Sequence, residues 1–140
     1  MEVKNFRDLR VWTLGMDLVE HVYRLTQAFP GREAYGLTAQ LRRAAISIPS
    51  NIAEGHTREH IKEYLRHVCI AQASLAELQT QVEIAGRLSY LSEDQVRDTV
   101  ERAAALSRQL YALRNSLLKR SQSVPNTQSP TPNTQSGGSR

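Results

Sequence analysis

The order of apolar and polar positions along the chain predicts helices throughout its first 120 residues. Between about Asp8 and Ala28, Leu9, Trp12, Met16, Val19, Tyr23 and Thr26 recur at three- and four-residue intervals, the spacing of one helix face. Val11, Leu18, Val22, Leu25 and Phe29 form a second stripe beside the first. Together they make an apolar face wider than one bundle seam requires. Pro30 and Gly31 end the segment. A second helix is predicted from Leu37 to Ala53 on Leu37, Leu41, Ala44, Ile48 and Ile52, with Gly55 closing it. A third runs from about Glu59 to Ser89 on Ile61, Leu65, Val68, Leu75, Leu78, Val82 and Ala85, with Gln72 as a polar interruption. The fourth starts at Ser92 and continues through Val96, Val100, Ala103, Leu110, Leu113 and Leu117 to about Arg120.

Ser92 and Gln95 spell the S-x-x-Q capping box, in which a hydroxyl accepts from one early backbone amide and the Gln side chain from another. No β-alternating run bounded by turn signals occurs. The link between the third and fourth helices is only a few residues, which sets them antiparallel. The expected fold is all-α, an antiparallel up-and-down four-helix bundle over residues 1–120. Pro49 falls inside the second helix, where it removes a donor and frees the Ala45 carbonyl at a cost of roughly 3 kcal/mol unless compensated. Ser47, Ser50 and Asn51 can supply local hydrogen bonds, so a bent but continuous helix is expected.

Composition changes near Arg120. The segment 121–140 is rich in Ser, Pro, Asn, Thr and Gln, with Val124 its one apolar residue, and reads as a disordered low-complexity tail. Within it "PNTQS" occurs at 125–129 and again at 132–136, the mark of a translated DNA repeat.

The length of 140 residues fits one domain, and 40% hydrophobic with 23% charged residues fit an ordinary globular protein. Cys69 stands alone, which excludes an intrachain disulfide and a cysteine-based zinc site; a small buried hydrophobe beside the third seam is its expected role. The opening "MEVKNFRDLRVW" has no apolar core of a signal peptide, and no apolar run reaches about 18 residues, so a cytoplasmic protein without a membrane span is expected. The net charge of +4 tilts the partners toward anions. Arginine carries most of that charge, and its planar fork suits phosphate.

Candidate chemistry is sparse. His56-Thr57-Arg58-Glu59-His60 spells H-x-x-E-H, a zinc-peptidase string that needs both histidines on one helix face. It follows Gly55, where a helix is expected to end, so these residues read as an interhelix corner. His21 and His67 read as surface or packing residues. Inward Glu-x-x-His pairs of a di-iron bundle are missing: Glu63 precedes Arg66, Glu101 precedes Ala104, and Asp17 precedes Glu20. No nucleophile–base pair or phosphate loop appears, so no catalytic residue, metal or cofactor is expected. The basic positions carry more. Arg58, Lys62 and Arg66 fall at four-residue intervals on one face of the third helix, with Glu59 and Glu63 placed to pair with them. Arg42 and Arg43 lie opposite the core positions of the second helix, and Arg97, Arg102, Arg108, Arg114, Lys119 and Arg120 make the fourth net positive. Such a surface can follow a phosphate backbone without reading bases.

Three segments resemble one family: "FRDLRVW" at 6–12, "AFPGREAYGLTAQLRRAAISIPSNIAEG" at 28–55 and "AQASLAELQTQVEIA" at 71–85. It is the family of four-helix-bundle proteins encoded in intervening sequences of bacterial 23S ribosomal RNA genes, which includes the accessory variability protein of diversity-generating retroelements. The resemblance covers residues 6–118. Its most specific part is Q-x-R-R-A-x-x-S-I-x-x-N-I-A-E-G, from Gln40 to Gly55. One departure is Ala73, where the family pattern has Gly before Ser74, which puts the close packing there in question. The resemblance implies a barrel-shaped homopentamer with a positive surface and no intrinsic catalysis. For retroelement members it implies binding to a reverse transcriptase and to RNA or DNA, without sequence specificity, during mutagenic copying of a template RNA. The residues expected to touch nucleic acid or partner are Arg42, Arg43, Arg58, Lys62 and Arg66. The alternative branch is an intervening-sequence-encoded structural or protein-interaction bundle of undefined role.

Overall fold

The computed structural model describes residues 5–123, and the PNTQS repeats lie outside the described residues. A 3-10 turn over Phe6–Asp8 precedes four helices: α1 (Arg10–Thr26), α2 (Leu37–His56), α3 (Ile61–Arg87) and α4 (Glu93–Ser123). The described residues contain no strand. Helix α2 packs on α1 and α3, and α4 packs on α3 and less extensively on α1. Contact partners rise along one helix as they fall along its neighbour: Gly55 meets Tyr64 and His67, Asn51 meets His67, Ser47 meets Ser74, and Gln40 meets Gln81. The same holds for Gly15 with Pro49 and Thr26 with Arg42 on α1 and α2. The helices therefore run up and down around the bundle. No described helix is long and apolar enough to cross a membrane.

The core follows the periodic seams. Val11, Leu18 and Val22 of α1 meet Leu41, Ile48 and Ile52 of α2, with Val68, Leu75, Leu78 and Val82 of α3 and Leu106, Leu110 and Leu117 of α4, all buried. Gln72 interrupts nothing, because neighbouring Ala71 takes the core position and is fully buried. Ala73 is exposed, so its methyl group faces away from the close packing around Ser74. Cys69 is also exposed, contrary to its expected burial. It lies one residue past Val68, on the outward side of a seam whose inward positions are 68, 71 and 75.

Three helix ends have an identifiable cause. Ser92 and Gln95 form the expected box: Gln95 N–H donates to Ser92 Oγ at 3.1 Å, and Ser92 N–H donates to Gln95 Oε1 at 2.9 Å. At the start of α2 the cap comes from outside the cap residue. Glu33 Oε1 accepts from Leu37 N–H at 3.0 Å, and its other oxygen accepts from Tyr90 O–H at 2.8 Å. These two bonds hold the Glu33 carboxyl below its ordinary value and tie the α1–α2 link to the α3–α4 link. Phe29 packs on the Tyr90 ring at 5.4 Å and completes that junction. Helix α3 ends on a Schellman arrangement, with Tyr90 N–H donating to Ala85 O and Ser89 N–H to Gly86 O. The left-handed residue is Ser89, at φ 63°, where glycine is the usual occupant.

Two glycines of α1 and α2 sit at helix contacts, and only one of them needs to be glycine. Helix α2 is continuous through Pro49, and Gly15 of α1 lies against the proline ring, with 3.4 Å from a built Cβ to Pro49 Cβ and Cδ. Gly55 does not close α2 as its sequence context suggested, because the helix continues to His56. A Cβ at Gly55 would lie 2.8 Å from His67 Cβ and 3.0 Å from a Tyr64 ring carbon. Close approach of α3 therefore requires glycine here.

Between these contacts runs a polar strip. His67 Nδ1 meets Asn51 Oδ1 at 2.9 Å, and Asn51 Nδ2 donates to Ser47 O at 2.9 Å and to Ser47 Oγ at 3.1 Å. Ser47 Oγ meets Ser74 Oγ at 2.8 Å. Since Asn51 Oδ1 can only accept, the His67 Nδ1 carries the proton. On the opposite side of the bundle, Thr99 Oγ1 donates to Gln95 O at 2.7 Å and so accepts from His21 Nε2 at 2.8 Å.

The His21 imidazole is held below its ordinary value, by burial first and by Arg102 next; Asp98 opposes the shift and Arg24 adds to it. A histidine with a lowered folded value binds fewer protons folded than unfolded. Its stabilising effect is therefore complete above the ordinary value of about 6.5 and is lost as pH falls through the folded value. Thermal melts are expected to show Tm decreasing as pH falls from 7.5 to 5, and His21→Gln is expected to flatten that dependence. Backbone substitutions should act with opposite signs. Ser89→Gly is expected to stabilise by about 1 kcal/mol through relief of the left-handed residue. Gly55→Ala is expected to destabilise, because overpacking of about 1–3 kcal/mol exceeds the helix-propensity gain of about 1 kcal/mol. Chemical denaturation of the two variants checks both signs.

Candidate nucleic-acid interface

The five basic residues singled out by the sequence do not form one cluster. Arg42 and Arg43 sit in the first half of α2, whereas Arg58 lies in the α2–α3 link and Lys62 and Arg66 occupy the first two turns of α3. Arg43 and Arg58 are separated by about 20 Å along the helix axis at 1.5 Å per residue. Arg58 precedes α3, so only Lys62 and Arg66 share a face of that helix as expected.

Arg42 is built into the bundle. Its Nε donates to Thr26 Oγ1 at 2.9 Å, and its guanidinium lies 4.3 Å from the centre of the Tyr23 ring. Thr26 Oγ1 in turn donates to Val22 O at 2.8 Å, so the cation braces the end of α1. Arg43 points to solvent one position on. Arg58, Lys62 and Arg66 are exposed, and the ion pairs expected with Glu59 and Glu63 do not form. Ion pairs do form on α4, between Arg97 and Asp94 and between Arg102 and Asp98. The cations of the α2–α3 corner are thus unneutralised by neighbouring carboxylates, as an anion-contacting surface requires.

Of the two apolar stripes on α1, only one is interior. Val11, Leu18, Val22 and Phe29 are buried, while Trp12 and Val19 are half-buried and Met16 and Tyr23 exposed. Ile46 of α2 extends this outer stripe, and Trp12, Met16, Val19, Ile46, Pro49 and Ala53 line a shallow groove of about 330 Å³. Sequence spacing gave the width of the face; it gave no indication that Arg42 folds over its Tyr23 end.

The H-x-x-E-H string does not share a helix face. His56 is the last residue of α2, Glu59 lies in the link, and His60 is the residue before α3. The His56 ring rests edge-on against Tyr64, with centres 5.9 Å apart. Among the described residues, no group of three His, Cys, Asp or Glu side chains is placed to hold a metal ion.

These features define a small helical bundle with an apolar outer stripe and unpaired surface cations. The chain belongs to the family of 23S rRNA-intervening sequence proteins, whose model matches residues 7–112. No curated protein matches the sequence. Among solved structures, it is similar to a protein of unknown function of the S23 ribosomal protein family from Bacteroides thetaiotaomicron. That likeness has a TM-score of 0.69 at 16% identity, over 74% of this chain and 97% of the other, and concerns the fold.

The adjacent arginines should separate in a stability measurement. Arg42→Ala is expected to cost about 1–3 kcal/mol through the lost hydrogen bond and ring contact. Arg43→Ala should stay within about 0.5 kcal/mol of the parent. Urea titrations of both variants provide the check.

Proposed function

We propose that the protein is a non-enzymatic, self-assembling accessory protein that binds RNA or DNA through phosphate contacts and works beside a reverse transcriptase in a diversity-generating retroelement. The observation that carries the nucleic-acid part is the set of exposed, unpaired cations Arg58, Lys62 and Arg66 at one corner, with Arg43 further along α2. They lie on helix and link surfaces with no groove-reading element, which suits contact without base specificity. Self-assembly is supported by the outer stripe of Trp12, Met16, Val19 and Tyr23, continued by Ile46, of which a lone bundle leaves Met16, Tyr23 and Ile46 exposed and Trp12 and Val19 half-buried. A closed barrel of five copies buries such a stripe without leaving an open end. Partnership with a reverse transcriptase rests on the family resemblance of the Gln40–Gly55 block. The second reading, a purely structural or protein-interaction bundle, is favoured by the bracing role of Arg42, which commits its Nε to Thr26 and its guanidinium face to the Tyr23 ring.

Fluorescence anisotropy against single-stranded RNA and DNA between 50 and 200 mM salt tests the leading reading. Binding should weaken steeply with salt and vary little with sequence. Reversal of Arg58, Lys62 and Arg66 to Glu should lower the slope of log K against log salt by about 2, at roughly 0.7 per lost contact. Salt-insensitive or absent binding sinks the nucleic-acid part. Light scattering of the parent should give a pentamer and Met16→Glu with Ile46→Glu a smaller species; a monomeric parent would remove the assembly.

A further inference from the structure

Charge is divided sharply along α4. Residues 93–102 carry Glu93, Asp94, Asp98 and Glu101, and the two arginines among them, Arg97 and Arg102, are engaged by Asp94 and Asp98. No Asp or Glu follows Glu101 in the sequence, whereas Arg108, Arg114 and Lys119 do. None of these three cations makes an ion pair. Helical spacing then separates the second half of α4 into two sides. Leu106, Leu110 and Leu117 are buried against the bundle. Arg108, Tyr111, Asn115 and Lys119, at intervals of three and four residues, lie on the outward side and are exposed. Tyr111 is 53% exposed, and among the described residues its ring has no aromatic or cationic partner. An aromatic ring is thus presented to water between two free cations, on a rigid helix, with little packing to do.

Arg108 and Lys119 are about 17 Å apart along the helix axis at 1.5 Å per residue, a span of several nucleotides. On the α1 side of this face a shallow recess of about 250 Å³ is lined by Leu9, Val11, Ala112 and Leu113, with Arg10 and Gln109 beside them. Toward the end of α4, Ser116 lines one recess together with Arg58, so the face adjoins the corner cations. An anionic membrane would need an apolar helix face free to enter it, and that of α4 is buried in the core. An acidic protein would match the charges but gives the ring no specific use. Single-stranded nucleic acid uses both, because its phosphates pair with the cations and every base offers a face to an aromatic ring. A duplex keeps its bases stacked on one another and leaves Tyr111 idle. We infer that the outward face of the second half of α4 is a single-strand binding surface, with Arg108 and Lys119 on phosphates and Tyr111 stacked on an unpaired base. The surface rests on the nucleic-acid reading proposed above and adds to it a preference for unpaired strands, which cations alone do not supply.

The full-length protein is titrated by fluorescence anisotropy with an unstructured single-stranded RNA and with a duplex of the same length. Tyr111→Ala is expected to weaken single-strand binding by about tenfold, the scale of one stacked base, and to leave the duplex within about twofold. Tyr111→Phe should bind both as the parent does. Arg108→Ala with Lys119→Ala should weaken both and lower the single-strand slope of log K against log salt by about 1.4, at roughly 0.7 per contact. Parent-like binding of both RNAs by Tyr111→Ala overturns the inference, as does an equal loss for strand and duplex. If only the Arg58, Lys62 and Arg66 variant loses affinity, the nucleic-acid reading stands and this surface does not. No binding of either RNA by the parent removes both. Unchanged RNA affinity in the α4 variants with lost binding of a polyglutamate peptide assigns the face to an acidic protein and overturns the inference. A change of oligomeric size in Tyr111→Ala by light scattering places the ring in a subunit contact and does the same.

Discussion

Register between α2 and α3 is the constraint on which the remaining structure depends, and it is set by directional groups. Leu, Ile and Val contacts contribute most of the stabilisation but are non-directional, so they tolerate a slide of one helix along another. The strip of His67, Asn51, Ser47 and Ser74 does not. A shift of one turn would break its interhelical bonds together, and each buried donor or acceptor left without a partner costs about 1–3 kcal/mol. The same shift would move Gly55 from beneath Tyr64 and His67 and bring a side chain into a space that admits none. Hydrogen bonding and close approach therefore select one register.

With two sides of α2 committed in this way, the placement of α1 follows. Gly15 of α1 lies against Pro49, and Arg42 reaches back to Thr26 and Tyr23 at the other end of the same contact. This orientation turns the Val11–Leu18–Val22 stripe inward. The Trp12–Met16–Val19–Tyr23 stripe is left outside, because one helix cannot face the bundle with both. Contact between α1 and α4 is less extensive, and the His21–Thr99 hydrogen bond spans it. The exposed apolar surface is thus a consequence of how α2 is held on both sides.

Much of this was legible in the sequence, and the remainder was hidden for specific reasons. Periodicity located the four helices and most core positions, and the S-x-x-Q box marked the start of α4, because these signals are local. Gly55 was misread because glycine near a helix end fits both a C-terminal cap and a close helix crossing, and only the neighbour distinguishes them. Cys69 was misplaced because periodicity gives the seam to within one position, which is the difference between core and solvent. The extension of α2 to His56 and the start of α3 at Ile61 removed Arg58 from the helix face assigned to it. The Gln40–Gly55 block carried the family signal, and the structure gives it a physical content. Ala44, Ile48 and Ile52 fill the core, Ser47 and Asn51 bond to α3, Gly55 admits α3, and Arg42 braces α1.

The double role of Arg42 bears on how an apolar stripe and a basic surface can serve one protein. A guanidinium can donate its Nε to Thr26 and stack on Tyr23 while its terminal nitrogens stay available; a lysine ammonium has no such geometry. Arg42 therefore fixes a positive charge at the Tyr23 end of the stripe, with Arg43 beside it, while Arg58, Lys62 and Arg66 lie toward the opposite end of α2. In a closed ring that buries the stripe, cations at its two ends repeat once per copy around the assembly. Contacts that are weak singly then act together on one strand, since each contact raises the effective concentration of the next. If the proposed ring forms and binds phosphate, the two are linked, because the apolar contact that closes the ring would also arrange the charges.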